Sequence, residues 1–315
     1  MRFLCGRLAG ILATTVVLSF VVFALIGLMP GDPTDMLANE NPGLTPEQIA
    51  HLRALFGADQ PIALRWWHWL ARAVTGDFGY SRMQSRPVLE VLGPALANTV
   101  LLMGIVFVLT TVVAVLGGVV AAVFRGRWPD RAINLAAYLG ISMPVFWFGL
   151  MLIYVFAVWL HWLPAGGMPG AGAGWRDWVA HLALPVAALV VFDVGGLLRF
   201  ARSAMLEALG QDYIRTARAK GLRPARVVLV HALRNALIPV ATLVALGFGH
   251  LFSGALITES MFGWAGMGRL ILDAIMNNDY NLALVCLLFA TVTIQMANLL
   301  ADMAYAWLDP RIRLQ

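Results

Sequence analysis

Residues 100–124 read VLLMGIVFVLTTVVAVLGGVVAAVF, 25 positions without one Asp, Glu, Lys or Arg. About 20 helical residues cross the hydrocarbon core of a bilayer, so this stretch suffices for one crossing. Five further apolar blocks flank it: Leu8–Leu28, Ala132–Leu160, Leu182–Leu198, Ala236–Ile257 and Leu282–Ala301. The block Ala132–Leu160 exceeds one crossing, which implies tilt or an interfacial extension. Lipid offers the backbone no hydrogen-bond partner, so each block must satisfy itself as a helix. Composition agrees, with 60% hydrophobic and 12% charged residues, roughly half the charge of a soluble domain. The sequence therefore reads as an all-α integral membrane protein with six transmembrane helices and a helical extracytoplasmic loop after the first.

The formal charge of +5 could indicate nucleic acid, but its distribution follows topology instead. Arg2 and Arg7 precede the first block, and Arg125, Arg127 and Arg131 crowd the second connection. Arg199, Arg202, Arg215, Arg218, Lys220, Arg223, Arg226 and Arg234 fill the fourth, and Arg311 and Arg313 end the chain. The third and fifth connections hold only Arg176 and Arg269. The long first connection carries Arg53, Arg65, Arg72, Arg82 and Arg86, offset by seven acids, and long loops weigh little. The positive-inside rule therefore makes both termini and the second and fourth connections cytoplasmic. The first block resembles a signal peptide but is too long and meets Pro30-Gly31-Asp32-Pro33 rather than a small-residue cleavage site, so it reads as a retained helix. Cys5 and Cys286 lie too far apart in this topology to form a disulfide or a metal pair.

Three regions follow: an N-terminal transmembrane helix at 1–28, an extracytoplasmic helical loop at 29–99, and a core at 100–315 of five transmembrane helices with a cytoplasmic segment at 199–234. In the loop, Thr45-Pro46-Glu47-Gln48 has the spacing of a capping box and predicts a helix to Phe56, stopped by Gly57. Pro61 opens a second helix that carries Trp66, Trp67 and Trp69, an interfacial aromatic cluster, and Gly76 ends it. A third helix begins near Pro87 and feeds the second crossing. The third connection, His161–His181, is irregular by its glycine and proline content. In the fifth, Thr258–Asn281, the spacing of Met267, Leu270, Ile271 and Ile275 predicts a short amphipathic surface helix. No strand pattern or repeat stands out.

Missing chemistry narrows the function. The only lysine, Lys220, precedes Gly221 rather than Ser or Thr, so no phosphate-binding Gly-x-x-x-x-Gly-Lys-Ser/Thr loop exists. The six histidines lack zinc-hydrolase spacing, and Ser142 and Ser253 have no catalytic motif around them. A membrane enzyme is disfavoured, and no catalytic or metal site is assigned. Between Met205 and Gly221 the chain reads MLEALGQDYIRTARAKG, good helix formers punctuated by Gly210 and Gly221, with Asp212 placed to cap the second part. A short helix bounded by turns outside the membrane is a docking element. Two acids lie in apolar blocks, Asp193 and Asp302. Intramembrane acids face a cavity or a partner. Asp302 sits near a membrane end, within reach of headgroups or Arg311. Asp193, beside Gly195 and Gly196, is a candidate for the solute path, where it would attract an ammonium group; a pair with Arg199 or with a partner subunit is the alternative.

The docking stretch resembles the inner-membrane permeases of binding-protein-dependent ABC importers. Their cytoplasmic loop carries Glu-Ala-Ala, three residues, then Gly, matched here by Arg215-Thr216-Ala217 and Gly221. The peptide-uptake branch has Asp-Tyr-Ile-Arg-Thr-Ala-Arg-Ala-Lys-Gly-Leu, which stands at Asp212–Leu222, and His231-Ala232-Leu233-Arg234-Asn235-Ala236 is similar to that branch too. So are Pro30-Gly31-Asp32-Pro33, Gly76-Asp77-Phe78-Gly79, Ser142-Met143-Pro144-Val145-Phe146-Trp147 and Asp309-Pro310-Arg311-Ile312-Arg313, so the resemblance spans essentially the whole chain. Three departures stand out: Arg234 occupies a proline position of the general family, Ala265 replaces proline in Trp264-Ala265-Gly266-Met267-Gly268-Arg269, and Asn281 replaces proline after Asp279-Tyr280.

The resemblance implies the type I ABC importer permease fold in a bacterial inner membrane. It implies as partners a second, similar permease subunit, two cytoplasmic P-loop ATPases, an extracytoplasmic solute-binding protein and membrane lipid. ATP and Mg²⁺ belong to the ATPases, and this chain binds no cofactor. Glu207, Asp212, Tyr213, Arg215, Thr216, Ala217, Arg218, Lys220 and Gly221 form the expected ATPase-coupling loop. Asp193, Met143, Phe146 and Trp264 are the candidate lining of the solute path. The implied solute is a dipeptide or oligopeptide; nickel chelates, glutathione or other small solutes are carried by relatives of the branch. The rival from another class is an ion-coupled secondary transporter, with Asp193 as its one candidate ion site, and a purely structural or sensory subunit is a further rival.

Overall fold

The computed structural model describes residues 2–27, 45, 47–48, 60–170, 172–250 and 255–308. In chain order the elements are α1 (Arg2–Gly27), α2 (Ile62–Val74), a ribbon of β1 (Tyr80–Ser81) and β2 (Arg86–Pro87), α3 (Val88–Val123), α4 (Trp128–Ser142) and α5 (Val145–Leu152). They continue with α6 (Trp175–Leu209), α7 (Asp212–Ala219), α8 (Leu233–His250), α9 (Leu256–Met261), α10 (Met267–Met276) and α11 (Tyr280–Leu308). A π-helical stretch, Ile153–Trp159, prolongs α5, and a turn at Pro224–Arg226 with a second π-helical stretch, Val227–Ala232, leads into α8.

Five helices among the described residues are long and apolar enough to cross a membrane: Gly6–Gly27, Val88–Val123, Trp175–Leu209, Pro224–Phe248 and Tyr280–Met303. The block Ala132–Leu160 departs from the expected single tilted crossing. It is a pair, Trp128–Ser142 and Val145–Trp159, bent by 106°, and the total reaches six only when that pair counts as one span. Pro144 explains the break. It has no N–H to give, and it forces Met143 out of the helical region to φ −93°, ψ 133°.

The chain divides into two compact units. The first comprises Met1–Leu96 and Leu270–Val292. Within it α2 lies along α1, with Phe20 edge-on to Trp66 at 5.3 Å, Phe23 6.2 Å from Trp69, and the Trp66 indole N–H donating to Ser19 Oγ at 3.0 Å. The tryptophan cluster thus partly seals a helix pair, and only Trp67 is largely exposed. Thr45 and Gln48 make the reciprocal bonds of a capping box, Thr45 N–H to Gln48 Oε1 at 2.9 Å and Gln48 N–H to Thr45 Oγ1 at 3.3 Å. The rest of the expected helix to Phe56, with Gly57 and Pro30–Pro33, lies outside the described residues. The ribbon is a feature not anticipated from sequence, because two-residue strands leave no alternation to read. Buried Asp279 anchors it, accepting from Ser81 Oγ at 2.6 Å and from the Met83 N–H at 3.0 Å. As expected, the helix after Pro87 runs unbroken into the second crossing.

The second unit comprises Ala97–Arg269 and Thr293–Gln315. α6 is its axis. It packs on α3 through small residues: a Cβ on Gly118 would lie 2.7 Å from that of Ala201 and 2.9 Å from the Arg202 nitrogen, so the two backbones touch. α4 crosses α6 equally closely at Gly195, where a Cβ would meet the Ala137 carbonyl at 2.6 Å. The segment from Leu256 to Arg269 folds around Glu259, which is fully buried. Its Oε1 accepts from Thr99 Oγ1 at 2.6 Å, and its Oε2 accepts from the Gly268 and Arg269 N–H groups at 2.7 and 3.2 Å. Burial pushes the Glu259 carboxyl above its ordinary value despite those donors.

Candidate functional site

α6 does not stop at the membrane block that marks it in the sequence. It continues through Arg199 and Arg202 to Leu209, because Ala201, Ala204, Met205 and Ala208 give the extension a buried apolar face. Gly210 and Gln211 break it, with Gln211 extended at φ −76°, ψ 154°, and α7 starts at once. Asp212 is not the cap of α7. Gln211 holds that position without a side-chain bond, and Asp212 sits in the first turn, where its charge favours the helix dipole.

The far end of α7 is closed by a Schellman motif. The Leu222 N–H reaches the Ala217 carbonyl at 3.3 Å, and the Gly221 N–H reaches the Arg218 carbonyl at 2.9 Å. Gly221 takes the left-handed conformation this requires, φ +72°. No atom would lie within 4 Å of a Cβ there, so glycine is needed for its backbone and not for space.

α7 has two faces. Ile214 and Ala217 are buried in one apolar cluster with Met205 and Ala208 of α6 and with Val227, Ala232, Ala236 and Val240. Asp212, Tyr213, Arg215, Thr216, Arg218 and Lys220 are exposed, as are Glu207 on α6 and Arg223 and Arg226 beyond the helix. The Arg215–Asp212 pair at 3.2 Å is open to solvent on both sides and contributes little to stability. The result is a short helix fixed to its stem by one face and presenting a mainly cationic face outward.

Beside the stem lies an ion pair not singled out in the sequence. Asp130, 4% exposed, accepts both Nε and Nη2 of Arg202 at 2.7 and 2.8 Å. It also takes the Gly126 N–H at 2.9 Å and Asn134 Nδ2 at 2.7 Å. Arg202 shows in the sequence only as one of many basic residues; the spacing Gly126, Asp130, Asn134 was the available signal.

Asp193 lines a cavity of about 540 Å³, large enough for a small ligand. Its other walls include Phe107, Thr110 and Thr111 of α3, Val145 of α5 and Leu243 of α8. Thr110 Oγ1 is buried and has no hydrogen-bond partner among the described residues. Arg199, the alternative partner for Asp193, donates its Nε to the Gly195 carbonyl at 3.2 Å and stacks over Tyr138 at 4.7 Å. Met143 and Phe146 lie on either side of Pro144-Val145 and are not among the cavity residues, although Val145 is. Trp264 is buried, edge-on to Trp178 at 6.2 Å, with its indole N–H on the Asn98 carbonyl at 3.0 Å. Asp302 is half-buried, and Arg311 lies outside the described residues. Among the described residues no group of three or more His, Cys, Asp or Glu could hold a metal ion.

Membrane-spanning helices around a largely apolar cavity that holds one carboxylate, with a short cationic helix at one end, define a solute-translocating subunit. Residues 114–314 match the family described as the binding-protein-dependent transport system inner membrane component, and residues 1–116 match its N-terminal family. The chain belongs to this family and is an inner-membrane permease component of such a transport system. A Brucella ovis protein named as a peptide permease is 39% identical over 316 residues, 99% of each chain. The glutathione transport system permease protein GsiC of Escherichia coli K12 is 37% identical over 313 residues, again 99% of each chain. A Sinorhizobium fredii protein named as a peptide ABC transporter permease is 36% identical over 311 residues, with 99% of each covered.

Proposed function

We propose that this chain is one of two transmembrane subunits of an ATP-driven importer of short peptides. ATP and Mg²⁺ are handled by two separate ATPase subunits, which grip α7 and its flanking residues from Glu207 to Gly221. One observation carries the reading. A chain with no phosphate-binding loop of its own holds out an eight-residue helix whose apolar face is locked to a membrane helix and whose charged face is free to dock. Both termini and the α4, α7 and Arg223–Arg234 ends lie on the cytoplasmic side, as the arginine distribution favours. A second, similar permease and an external solute-binding protein complete the assembly.

Asp193 is the candidate contact for the solute. The relatives named for peptides and for glutathione share one chemistry, since glutathione is itself a short peptide with an ammonium group and carboxylates. A carboxylate with the threonine hydroxyls of Thr110 and Thr111, in a cavity whose remaining walls are apolar, suits an ammonium group beside an apolar side chain. The assembly is tested by isolating the chain from its native membranes in mild detergent and identifying every protein that accompanies it. Two P-loop ATPases, a sister permease and a secreted binding protein are the expected companions, and the ligand on that binding protein names the solute. Isolation of the chain alone in several detergents would contradict the reading.

A further inference from the structure

The coupling reading leaves open how a push on α7 reaches the membrane helices, and the surroundings of Arg202 supply a route. α7 is seated on the end of α6 through Ile214 and Ala217. Two turns back along α6, the stem is held on two sides at one level. Against α3 the hold is apolar, the bare backbone of Gly118 against Ala201 and Arg202. Such a surface has no directional bond and can slide, as packed helices do in shear motions.

Against α4, in addition to the close packing at Gly195 and Ala137, the hold is directional. The Asp130 carboxylate receives the Arg202 fork through two bonds, at 2.7 and 2.8 Å, and is itself fixed by the Gly126 N–H at 2.9 Å and by Asn134 at 2.7 Å. A two-point guanidinium–carboxylate contact fixes orientation as well as distance. Losing Arg202 would leave the buried Asp130 carboxylate without its counter-charge, so the pair resists separation. α4 then leads to the bend at Met143-Pro144, and the residue after that bend, Val145, lines the cavity that holds Asp193.

We infer that the Asp130–Arg202 pair is the joint that carries displacement of α7 and α6 into α4 and the Pro144 bend, which makes Asp130 and Arg202 positioning residues for transport. The inference rests on the coupling role proposed for α7. It differs from a purely structural role in what it says about efficiency. A structural pair sets how much transporter exists; a transmission joint sets how much solute each ATP moves. The ratio of solute moved to ATP hydrolysed is therefore the quantity to measure.

The experiment uses the complete transporter in lipid vesicles, with ATPases and binding protein, and reads solute uptake and ATP hydrolysis together. Asp130→Asn keeps the shape and removes the charge; it is expected to lower uptake per ATP by about tenfold while hydrolysis and assembly stay near wild type. Arg202→Lys keeps the charge but loses the fork, and an intermediate loss is expected. If Asp130→Asn fails to assemble, Arg202→Lys carries the test. In a double-mutant cycle with Arg202→Gln, the second change should add little to the first. An unchanged ratio in either assembling variant would overturn the inference, as would fully additive losses. Gly221→Val in the same assay separates the two levels. If it uncouples or detaches the ATPases while the Asp130 variant transports normally, only the joint is wrong; if Gly221→Val also changes nothing, the coupling role of α7 falls and the inference falls with it.

Discussion

Replacing Glu259 by alanine should be among the most damaging single changes outside the membrane spans. Its carboxylate ends three donors, the Thr99 hydroxyl at 2.6 Å and the Gly268 and Arg269 N–H groups at 2.7 and 3.2 Å, in a place with no exposed surface. An orphaned buried donor costs about 1–3 kcal/mol. Three of them, partly relieved by water entering the vacated space, make about 3–6 kcal/mol. Glu259→Gln should be far milder, about 1 kcal/mol. Its Oε1 can keep both backbone donors while its amide donates to Thr99 Oγ1, which already accepts from the Met267 N–H at 2.8 Å.

The two variants also differ from wild type in pH response. Burial raises the Glu259 carboxyl above its ordinary value of 4.5, so the folded chain holds this proton more tightly than the unfolded chain does. The resulting stability is complete below the unfolded value and is lost as pH rises through the folded one. The advantage of wild type over Glu259→Gln should therefore shrink as pH rises above about 4.5. Thermal denaturation of the three proteins in mild detergent across pH reads both effects. An alanine variant that melts with wild type, or a Gln variant with the same pH slope as wild type, would refute the account of this site.

Three further outcomes follow from the same geometry. Gly221→Val forces a branched side chain into φ +72° at about 1–2 kcal/mol and should weaken ATPase recovery on pull-down, whereas Gly221→Asn should be tolerated. Ile214→Ala opens a void under a residue with no exposure, costs about 2–5 kcal/mol, and should speed tryptic cleavage at Arg215 and Arg218; an unchanged cleavage rate would contradict the seating of α7. Asp193→Asn should slow uptake of a peptide with a free ammonium end more than that of its N-acetylated form; equal slowing would remove Asp193 from solute contact.

Helix positions were legible wherever apolar residues alone decide them, as at 100–124 and 282–301. The amphipathic helix after Trp264 and the turn at Gly221 were legible for a different reason: spacing at Met267, Leu270 and Ile271, and a glycine after a basic helical run, each specify local geometry. The bend at Met143-Pro144 was not read, although proline was in plain view, because a long apolar block looks continuous to hydropathy. The helix end at Gly210 was read, but its continuity with the fourth crossing was missed because the buried face between them is alanine-rich and sits among arginines, so charge masked packing. Glu259 and Asp279 were beyond sequence reading, and Asp130 offered only its local spacing to Gly126 and Asn134. Each is an acid with one decisive donor distant in the chain, Thr99, Ser81 or Arg202, and no local pattern announces that long-range pairing.

The measurement that reaches furthest is uptake in lipid vesicles containing this chain with its sister permease, with the ATPases and ATP supplied or withheld. The account predicts uptake only when ATPases, ATP and the binding protein are all present, and loss of uptake when α7 is disabled by Gly221→Val. Uptake driven by a proton or sodium gradient in vesicles without ATP would contradict it and would reopen Asp193 as an ion site.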